Sequence, residues 1–257
     1  MTNLSLENFE ENLQKRINSL LNSYLNSNSQ IENAIKFSLS APGKRVRPIL
    51  IYLVGDIYNI SLEKLDSLAL ASEIIHTYSL VHDDLPCMDD DDLRRGQPTL
   101  HKKYSEATAV LAGDAMQSLA IQIILEDEIL SNELKVSTLK LLMESIGYKG
   151  MILGQEQDIS FEQKSVSKEE IIQMNYLKTG LLIEFCIMAP LIIANKKDDE
   201  WNTIARNVGI AFQLIDDLLD LEESEENLGK ASNKDEIIQM NYLKTGLLIE
   251  FCILAPL

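Results

Sequence analysis

The chain has 257 residues, of which 46% are hydrophobic and 25% are charged, a balance that is typical of a globular protein and excludes wholesale disorder. Its formal net charge of −17 predicts repulsion from nucleic acids and from anionic membrane surfaces. An anionic ligand would therefore need a local basic patch or a bridging metal ion.

Helical periodicity dominates the chain. In chain order, the predicted helices cover residues 12–25, 49–58, a short segment capped by Ser61, a stretch from about residue 67 into an acidic cluster, and 105–128, 132–148, 168–186 and 199–221. The segments APGKRVRP at 41–48 and RRGQPT at 94–99 are predicted loops. Strand-like alternation is scarce, so we predict an all-α fold with a single domain over 1–257.

An internal repeat stands out in the C-terminal half. The stretch EIIQMNYLKTGLLIEFCIMAPL at 170–191 recurs at 236–257 with one change, Met188 against Leu254. Repeat architectures are built from three or more diverged copies. A recent duplication or an assembly artefact therefore explains this pair better than a solenoid does.

The cysteines and the N-terminal sequence bear on location. Cys87, Cys186 and Cys252 have no metal-type spacing, so we expect free thiols in a reducing compartment. The first residues lack the basic start and apolar core of a signal peptide, and the longest apolar run, at 181–194, is too short to span a membrane. We expect a cytoplasmic protein without stable membrane insertion and without a nucleic-acid partner.

The sequence DDLPCMDDDDLRR begins at Asp83 and concentrates carboxylates beside the end of a predicted helix. Pro86 lacks an N–H group and should break that helix, which would swing Asp89 back toward Asp83. Hard oxygen donors of this kind suit Mg²⁺, which keeps several waters and also binds phosphate oxygens. A solvated acidic helix end is the other interpretation of this stretch taken alone.

A second acidic group lies in FQLIDDLLD at 212–220, which contains Asp216, Asp217 and Asp220. Asp216 and Asp220 are four residues apart, so both share one face of a helix whose surroundings are apolar. Burying paired carboxylates without a counter-ion is costly, and a shared divalent ion would remove that cost. The alternative is a salt-bridged surface face.

Basic residues are interleaved with the two acidic groups. They are Lys44, Arg45, Arg47, Arg94, Arg95, Lys178 and Lys230. Arginine forks bind phosphate oxygens in bidentate fashion. In an otherwise acidic chain the whole set indicates a trinuclear metal–diphosphate site, although each residue taken singly is more often mere surface charge.

Together, DDLPCMDDDDLRRGQPT, GKRVRP, KTG and FQLIDDLLD resemble the trans-isoprenyl diphosphate synthases, and most of all the bacterial farnesyl or geranylgeranyl diphosphate synthase type. The resemblance covers about residues 35–235, with the motifs in matching order. It implies an all-α helical bundle around a central cavity, a Mg²⁺ cofactor bound as a trinuclear cluster, and a homodimer. The implied substrates are isopentenyl diphosphate and an allylic diphosphate.

The resemblance also implies a role for each matched residue. Asp83, Asp84 and Asp89 would form one Mg²⁺ motif, and Asp216, Asp217 and Asp220 the other. Arg94 would bind the allylic diphosphate, and isopentenyl diphosphate would be bound by Lys44, Arg47, His76 and Arg95. The allylic diphosphate and the reacting centre would be lined by Lys178, Thr179, Gln213 and Lys230. No cysteine or serine nucleophile is needed.

Two residues of the helix before the first motif have competing interpretations. His76 lies seven residues before Asp83, so both can face one cavity, although a lone histidine on an apolar helix is often a core residue. Tyr78 lies five residues before Asp83, where a bulky aromatic residue resembles the farnesyl-length pattern of the family. In one interpretation the ring of Tyr78 stops the growing prenyl chain at the farnesyl length. In the other, Tyr78 is an ordinary residue of the hydrophobic core.

The chain departs from the family after the second acidic motif. Gly229 and Lys230 are kept, but residues 235–257, a near copy of 169–191, stand where the family has a further lysine motif and closing helices. The copied Lys244 and Thr245 cannot occupy the place of the first copy's lysine and threonine. We therefore expect a less well covered cavity.

The predicted function is the Mg²⁺-dependent condensation of isopentenyl diphosphate with dimethylallyl or geranyl diphosphate to give farnesyl diphosphate. Three alternatives stay open. One is a geranylgeranyl diphosphate synthase, and another is an inactive or regulatory subunit, which the altered C-terminus suggests. The third is a class I terpene cyclase, against which the two acidic motifs and the GKRVRP loop for a second diphosphate argue.

Overall fold

The computed structural model describes residues 3–24, 29–161, 166–196 and 199–212. The helices are α1 (Asn3–Tyr24), α2 (Gln30–Leu39), α3 (Val46–Ile57), α4 (Asp66–Asp83), α5 (Leu100–Lys103), α6 (Glu106–Glu126), α7 (Asn132–Ile146), α8 (Met151–Phe161), α9 (Lys168–Asn175) and α10 (Leu181–Ile193). Residues 199–212 are also helical. The all-α prediction is confirmed.

Three short elements complete the described chain. A 3₁₀ turn, Leu62–Lys64, precedes α4, with Ser61 at its N-cap position. A π-helical turn, Tyr176–Gly180, separates α9 from α10. Strands β1 (Leu93–Arg94) and β2 (Gln97–Pro98) pair antiparallel, with Arg94 opposite Gln97.

The segment predicted as the loop RRGQPT is thus a tight hairpin. Its two turn residues, Arg95 and Gly96, have φ of 52° and 76°, which is the signature of a primed two-residue turn. Arg94 lies on the strand and Arg95 lies in the turn, so the turn geometry separates two arginines that are adjacent in sequence.

Helices α2, α5 and α8 were not predicted. The start of α2 carries a capping box, in which Ser29 Oγ accepts from the backbone N–H of Glu32 and Glu32 Oε2 accepts from the N–H of Ser29. The S-x-x-E spacing at 29–32 was therefore a usable local signal. α5 is a single turn, too short to produce helical periodicity.

The described chain divides into two compact units. The first comprises the residues up to Leu142 and a segment that begins at Ala189, and the second comprises Met143–Met188 and 199–212. In the first unit α4 is the central helix, and it packs along α6 and against α1, α2 and α3. In the second unit α8 and α9 pack on the π turn. The expectation of a single domain stays a prediction.

Two described helical runs are long and apolar enough to cross a membrane when judged by length and composition alone. They are α6 and the run Lys168–Ile193, and 44% and 56% of their apolar windows are buried inside the protein. Core helices of soluble proteins meet the same criterion. The expectation that the chain does not insert stably in a membrane therefore stays a prediction.

Candidate active site

The first acidic motif lies on a tight loop that follows α4. The helix ends at Asp83, three residues before Pro86, because proline cannot continue the backbone hydrogen bonds of the helix. The N–H of Asp89 then donates to the carbonyl of Asp83 at 2.9 Å, and Asp90 adopts a left-handed conformation with φ of 52°. The backbone therefore brings Asp89 back to Asp83, as the sequence predicted.

Asp84 is the buried member of this motif. Its side chain is 5% exposed, and its Oδ1 accepts a hydrogen bond from Arg94 Nε at 2.5 Å. Arg94 also reaches Asp91 Oδ2 through Nη2 at 3.1 Å. Burial raises the pKa of Asp84, and the charge and hydrogen bond of Arg94 oppose that rise. Two residues with separate predicted roles, metal ligand and diphosphate ligand, are thus direct partners.

Other contacts fix the far side of the acidic loop. Thr99 Oγ1 donates to the carbonyl of Asp91 at 2.7 Å, and the N–H of Thr99 donates to the carbonyl of Asp92 at 3.0 Å. The carboxylate of Asp92 pairs with Lys102 Nζ at 2.7 Å. These contacts tie the loop to β2 and α5 at its far end.

The motif supplies the chemistry that a Mg²⁺ ion requires. Asp83 and Asp84 at the end of α4, and Asp89 in the loop that follows, offer carboxylate oxygens, and Mg²⁺ prefers such donors and completes its shell with water and phosphate oxygens. In the part of the chain that the structure describes, no three acidic, histidine or cysteine residues converge on one metal position. The donors therefore fit Mg²⁺, but they do not form a complete cage by themselves.

Arg45 belongs to the fold rather than to an anion-binding surface. Its guanidinium donates to Glu73 Oε1 at 2.6 Å, to Asn18 Oδ1 at 3.0 Å, and to the carbonyls of Leu39 and Ala41 at 2.8 and 2.9 Å. Both charged side chains are buried. Arg45 also lines a cavity of about 250 Å³ between α1 and the loop after α2. The sequence grouped Arg45 with the phosphate-binding residues, and these contacts correct that interpretation.

The loop that carries Lys44 is tied to the hairpin that carries Arg95. Arg95 Nη1 donates to the carbonyl of Pro42 at 2.7 Å. Lys44 is exposed, and its backbone carbonyl accepts a hydrogen bond from Gln14 Nε2 at 3.1 Å. Arg47 is buried on the first turn of α3. Lys44, Arg47 and Arg95 therefore lie on neighbouring segments of the first unit.

His76 lies on α4 within the electric field of four arginines. Burial lowers the pKa of His76 well below 6.5, and the positive charges of Arg47, Arg95, Arg45 and Arg94 lower it further. The imidazole is therefore neutral at neutral pH. Two of these arginines have carboxylate partners, Arg45 with Glu73 and Arg94 with Asp84.

Tyr78 is a buried residue two positions further along α4. Its ring meets the ring of His82 edge-on, with centroids 5.9 Å apart. Burial and the charge of Asp83 raise the pKa of Tyr78 to about 12, so its hydroxyl keeps its proton at neutral pH. Its predicted role as the limit on product length stays a prediction.

Lys178 and Thr179 lie in the π turn of the second unit, a type of helix defect that is frequent at functional sites. Lys178 Nζ pairs with Asp158 Oδ2 on α8 at 2.5 Å. A Cβ atom on Gly154 would lie 2.2 Å from the backbone nitrogen of Lys178, so only glycine allows this approach of α8 to the π turn.

Sequence analysis missed Asp158 and Gln155 on α8. Gln155 has a buried Nε2 atom without a hydrogen-bond partner in the part of the chain that the structure describes. A signal was present in GQEQD at 154–158, where a glycine and an acidic residue four positions apart share one helix face. The predicted residues Gln213, Asp216, Asp217, Asp220 and Lys230, and the repeat at 235–257, lie outside the described residues.

Comparison with known proteins identifies the family. Residues 28–243, which are most of the chain, match the sequence pattern of the family described as polyprenyl synthetase. The chain belongs to the polyprenyl synthetase family. The resemblance predicted from the motifs is confirmed.

Characterised polyprenyl synthetases include close relatives of this chain. It is 44% identical over 212 residues to a farnesyl diphosphate synthase of Micrococcus luteus, a match that covers 81% of this chain and 72% of the relative. It is 42% identical over 211 residues to the farnesyl diphosphate synthase of Bacillus subtilis (80% and 71% covered). It is also 40% identical over 217 residues to geranylgeranyl pyrophosphate synthase 4 of Arabidopsis thaliana (80% and 57% covered).

Solved structures of similar proteins share the fold. A geranyltransferase from Legionella pneumophila superposes with a TM-score of 0.78 at 36% identity, covering 95% of this chain and 91% of that one. A geranyltransferase from Helicobacter pylori, complexed with magnesium and isoprenyl diphosphate, superposes with a TM-score of 0.81 at 33% identity (95% and 88% covered). This polyprenyl synthetase therefore has the all-α fold of the isoprenoid synthases.

Proposed function

We propose that this polyprenyl synthetase is a farnesyl diphosphate synthase, which condenses isopentenyl diphosphate with dimethylallyl or geranyl diphosphate. The observation that carries the proposal is the acidic loop after α4, in which the backbone returns Asp89 to Asp83 and Arg94 pairs with the buried Asp84. Cations gathered beside carboxylates suit a diphosphate that binds together with a divalent metal ion. Relatives that are farnesyl diphosphate synthases support this choice of product.

The reaction joins two prenyl diphosphates. The bond between the allylic carbon and the diphosphate oxygen breaks, and the diphosphate leaves with the electron pair. The double bond of isopentenyl diphosphate attacks the allylic carbon and forms a new carbon–carbon bond. The resulting cation loses a proton to the departing diphosphate, which leaves a longer allylic diphosphate.

The first unit binds both diphosphates through separate groups. Isopentenyl diphosphate is held by Lys44, Arg47, Arg95 and the neutral imidazole of His76. Arg94 binds the allylic diphosphate and stabilises the negative charge that grows on it as it departs. Because Arg94 is paired with Asp84 before substrate binds, this pairing orients the guanidinium in advance.

The metal ligands are the two acidic motifs. Asp83, Asp84 and Asp89, together with Asp216, Asp217 and Asp220, would hold Mg²⁺ in a trinuclear site. When bound, Mg²⁺ would neutralise part of the charge of the diphosphate and favour its departure. The magnesium in the complex of the Helicobacter pylori geranyltransferase supports Mg²⁺ as the metal ion.

The remaining ligands of the allylic diphosphate and of the reacting centre are Lys178, Thr179, Gln213 and Lys230. Of these residues, Lys178 and Thr179 are described by the structure, and the ammonium group of Lys178 pairs with Asp158. When the allylic diphosphate binds, Lys178 exchanges this carboxylate partner for a phosphate partner. The apolar interior excludes water and protects the allylic cation from hydrolysis.

A geranylgeranyl diphosphate synthase is the second candidate, because a plant enzyme of that name is 40% identical to this chain. The two candidates differ in how far the product tail can grow. The buried ring of Tyr78 favours the shorter product, since an aromatic side chain near the acidic motif would close the tail channel.

We also propose that the enzyme is a cytoplasmic homodimer without stable membrane insertion. Helix α6 exposes the apolar side chains of Val110, Leu111 and Leu125, which a second copy of the chain would cover. Neither Cys87 nor Cys186 forms a disulfide in the part of the chain that the structure describes, which suits a reducing compartment.

The test is a product assay. The purified protein is incubated with geranyl diphosphate, isopentenyl diphosphate and Mg²⁺, with a matched sample in EDTA, and the alcohol is identified after phosphatase treatment. Mg²⁺-dependent farnesol supports the proposal, whereas geranylgeraniol as the main product supports the second candidate. Asp83→Asn should abolish the product, and Asp56→Asn, at an exposed position of α3, is the matched control. Folded protein that binds Mg²⁺ but makes no product would instead favour an inactive or regulatory subunit.

A further inference from the structure

The helical run that carries Lys178 and Thr179 contains one extra residue. In the π turn Tyr176–Gly180, the N–H of Leu181 donates to the carbonyl of Tyr176, five residues back instead of four. Such a turn is a less favourable backbone than a regular α-helix, so it persists where surrounding contacts compensate for it. The contacts of Tyr176, the first residue of the turn, supply that compensation.

Tyr176 is fixed on three sides. Its Oη donates to Glu184 Oε2 on α10 at 2.6 Å, and Arg206 Cζ lies 4.3 Å from the centroid of its ring. A Cβ atom on Gly180 would lie 2.8 Å from Cδ2 of the same ring, so the ring lies directly against the end of the turn. The side chain is buried. We call Tyr176, Glu184 and Arg206 the tyrosine clasp.

The tyrosine clasp bridges the turn from one end to the other. Tyr176 begins the turn and Glu184 lies on the first turns of α10, so their hydrogen bond spans the segment that holds Lys178. On the other side of that segment, α8 touches the backbone of Lys178 at Gly154, and Asp158 receives the lysine Nζ. The direction of the Lys178 side chain therefore depends on a turn that the clasp holds.

We propose that Tyr176 is a positioning residue, which holds the π turn through Glu184 and Arg206 so that Lys178 presents its ammonium group to the allylic diphosphate. This inference rests on the proposed function, because it deepens the role of Lys178 in that reaction. Tyr176 itself touches no substrate. Burial and the hydrogen bond to Glu184 raise the pKa of Tyr176 to about 12, so its hydroxyl remains a donor at neutral pH.

The first experiment compares two tyrosine-to-phenylalanine variants. Tyr176→Phe removes only the hydroxyl of the clasp. Tyr24→Phe is the matched control in the first unit. It removes the hydroxyl of Tyr24 on α1, which donates to Glu126 on α6 at 3.2 Å. We expect Tyr176→Phe to raise the KM for geranyl diphosphate about tenfold, the effect of one hydrogen bond to a charged acceptor, with the KM for isopentenyl diphosphate unchanged. Tyr24→Phe should change neither constant.

The second experiment asks whether Tyr176 acts through Lys178. The affinity for magnesium pyrophosphate is measured by calorimetry for the wild type, Tyr176→Phe, Lys178→Met and the double variant. If the clasp acts through the lysine, Tyr176→Phe weakens binding in the wild type but has no further effect in the Lys178→Met background. Additive effects would overturn the proposal, as would equal changes in both KM values.

Two further comparisons keep the test decisive. If Tyr176→Phe does not fold, Glu184→Gln weakens the same hydrogen bond from the acceptor side and should give the same selective rise in KM. If the wild type makes no prenyl product, the proposed function fails, and the pyrophosphate binding cycle still decides whether Tyr176 positions Lys178.

Discussion

At the scale of single residues, the site combines groups whose properties depend on their neighbours. Asp84 and Arg94 are each other's partners, and His76 is neutral because burial and four arginines disfavour its charged form. Lys178 is held by an aspartate that sequence analysis did not single out. The chemistry of each residue is therefore set by a contact, not by its type alone.

The pKa of His76 leads to a prediction about stability. Because this pKa is lower in the folded chain than its ordinary value of 6.5, the unfolded chain binds more protons in the window between the two values. The free energy of unfolding should therefore rise with pH through that window and fall as the pH drops below about 6.5. Its slope should be at most about 1.4 kcal/mol per pH unit. Urea unfolding of the wild type and of His76→Asn at several pH values measures this, and equal pH slopes for the two proteins would contradict it.

Tyr78 leads to a prediction about the product. Tyr78→Ala should shift the product from farnesyl to longer chains, because removing the ring would open the path of the tail. Tyr78→Phe keeps the ring and should keep the farnesyl product. Chromatography of the dephosphorylated products measures the shift. Since losing a buried aromatic ring costs about 3–5 kcal/mol, folding of the alanine variant must be checked by circular dichroism. An unchanged product from a folded alanine variant would make Tyr78 an ordinary core residue.

At the scale of elements, the loop before α3 is held by one buried ion pair. Arg45 has φ of 52° and ties the loop to α1, to α4 and to the end of α2 through its four hydrogen bonds. The same loop exposes Lys44 and receives Arg95 at Pro42. The loop that we propose to bind isopentenyl diphosphate is thus built around a buried arginine whose hydrogen bonds are all made within the fold.

Glu73→Gln tests this arrangement. The variant leaves the buried guanidinium of Arg45 without a counter-charge, and we expect a loss of about 3 kcal/mol in unfolding free energy and a higher KM for isopentenyl diphosphate. Glu63→Gln is the matched control, since Glu63 pairs with Arg16 at 3.3 Å on the surface, where screening by solvent leaves an ion pair with little net effect on stability. Denaturant unfolding and steady-state kinetics measure both effects. Equal losses in the two variants would show that Arg45 does not depend on Glu73.

At the scale of the whole molecule, each unit holds part of the proposed machinery. The first contains the Asp83 motif, the hairpin arginines and His76, and the second contains the π turn with Lys178. The first unit also exposes the apolar surface of α6 that we assign to a second copy of the chain. Assembly is therefore the property to test at this scale.

Leu111→Glu tests the homodimer. Leu111 is 55% exposed on α6, and a charge there should prevent a second copy from packing, which would convert a dimer to a monomer in light scattering coupled to gel filtration. Ile57→Glu, at a residue that is 60% exposed on α3, should leave the dimer intact. A monomeric wild type would refute the assignment directly.

The fold class and the family could both be predicted from the amino-acid sequence. Apolar spacing predicted the α-helices other than α2, α5 and α8, and Pro86 predicted the break that returns Asp89 to Asp83, because both effects act between residues close in sequence. The matched motifs predicted the polyprenyl synthetase family. Local spacing is sufficient for such features, since it fixes hydrogen bonding and helix faces directly.

The pairing of basic with acidic residues could not be predicted, because it depends on how the helices pack. Nothing local in the sequence distinguishes Arg45, which pairs with Glu73, from Arg47 two positions later. Nor does any local pattern indicate that Lys178 pairs with Asp158. The hairpin that separates Arg94 from Arg95 and the π turn at Tyr176 likewise depend on backbone geometry that packing stabilises. Ion pairs between residues that are distant in sequence produce no periodic pattern of residue types. They depend instead on which helix surfaces meet after the helices have formed.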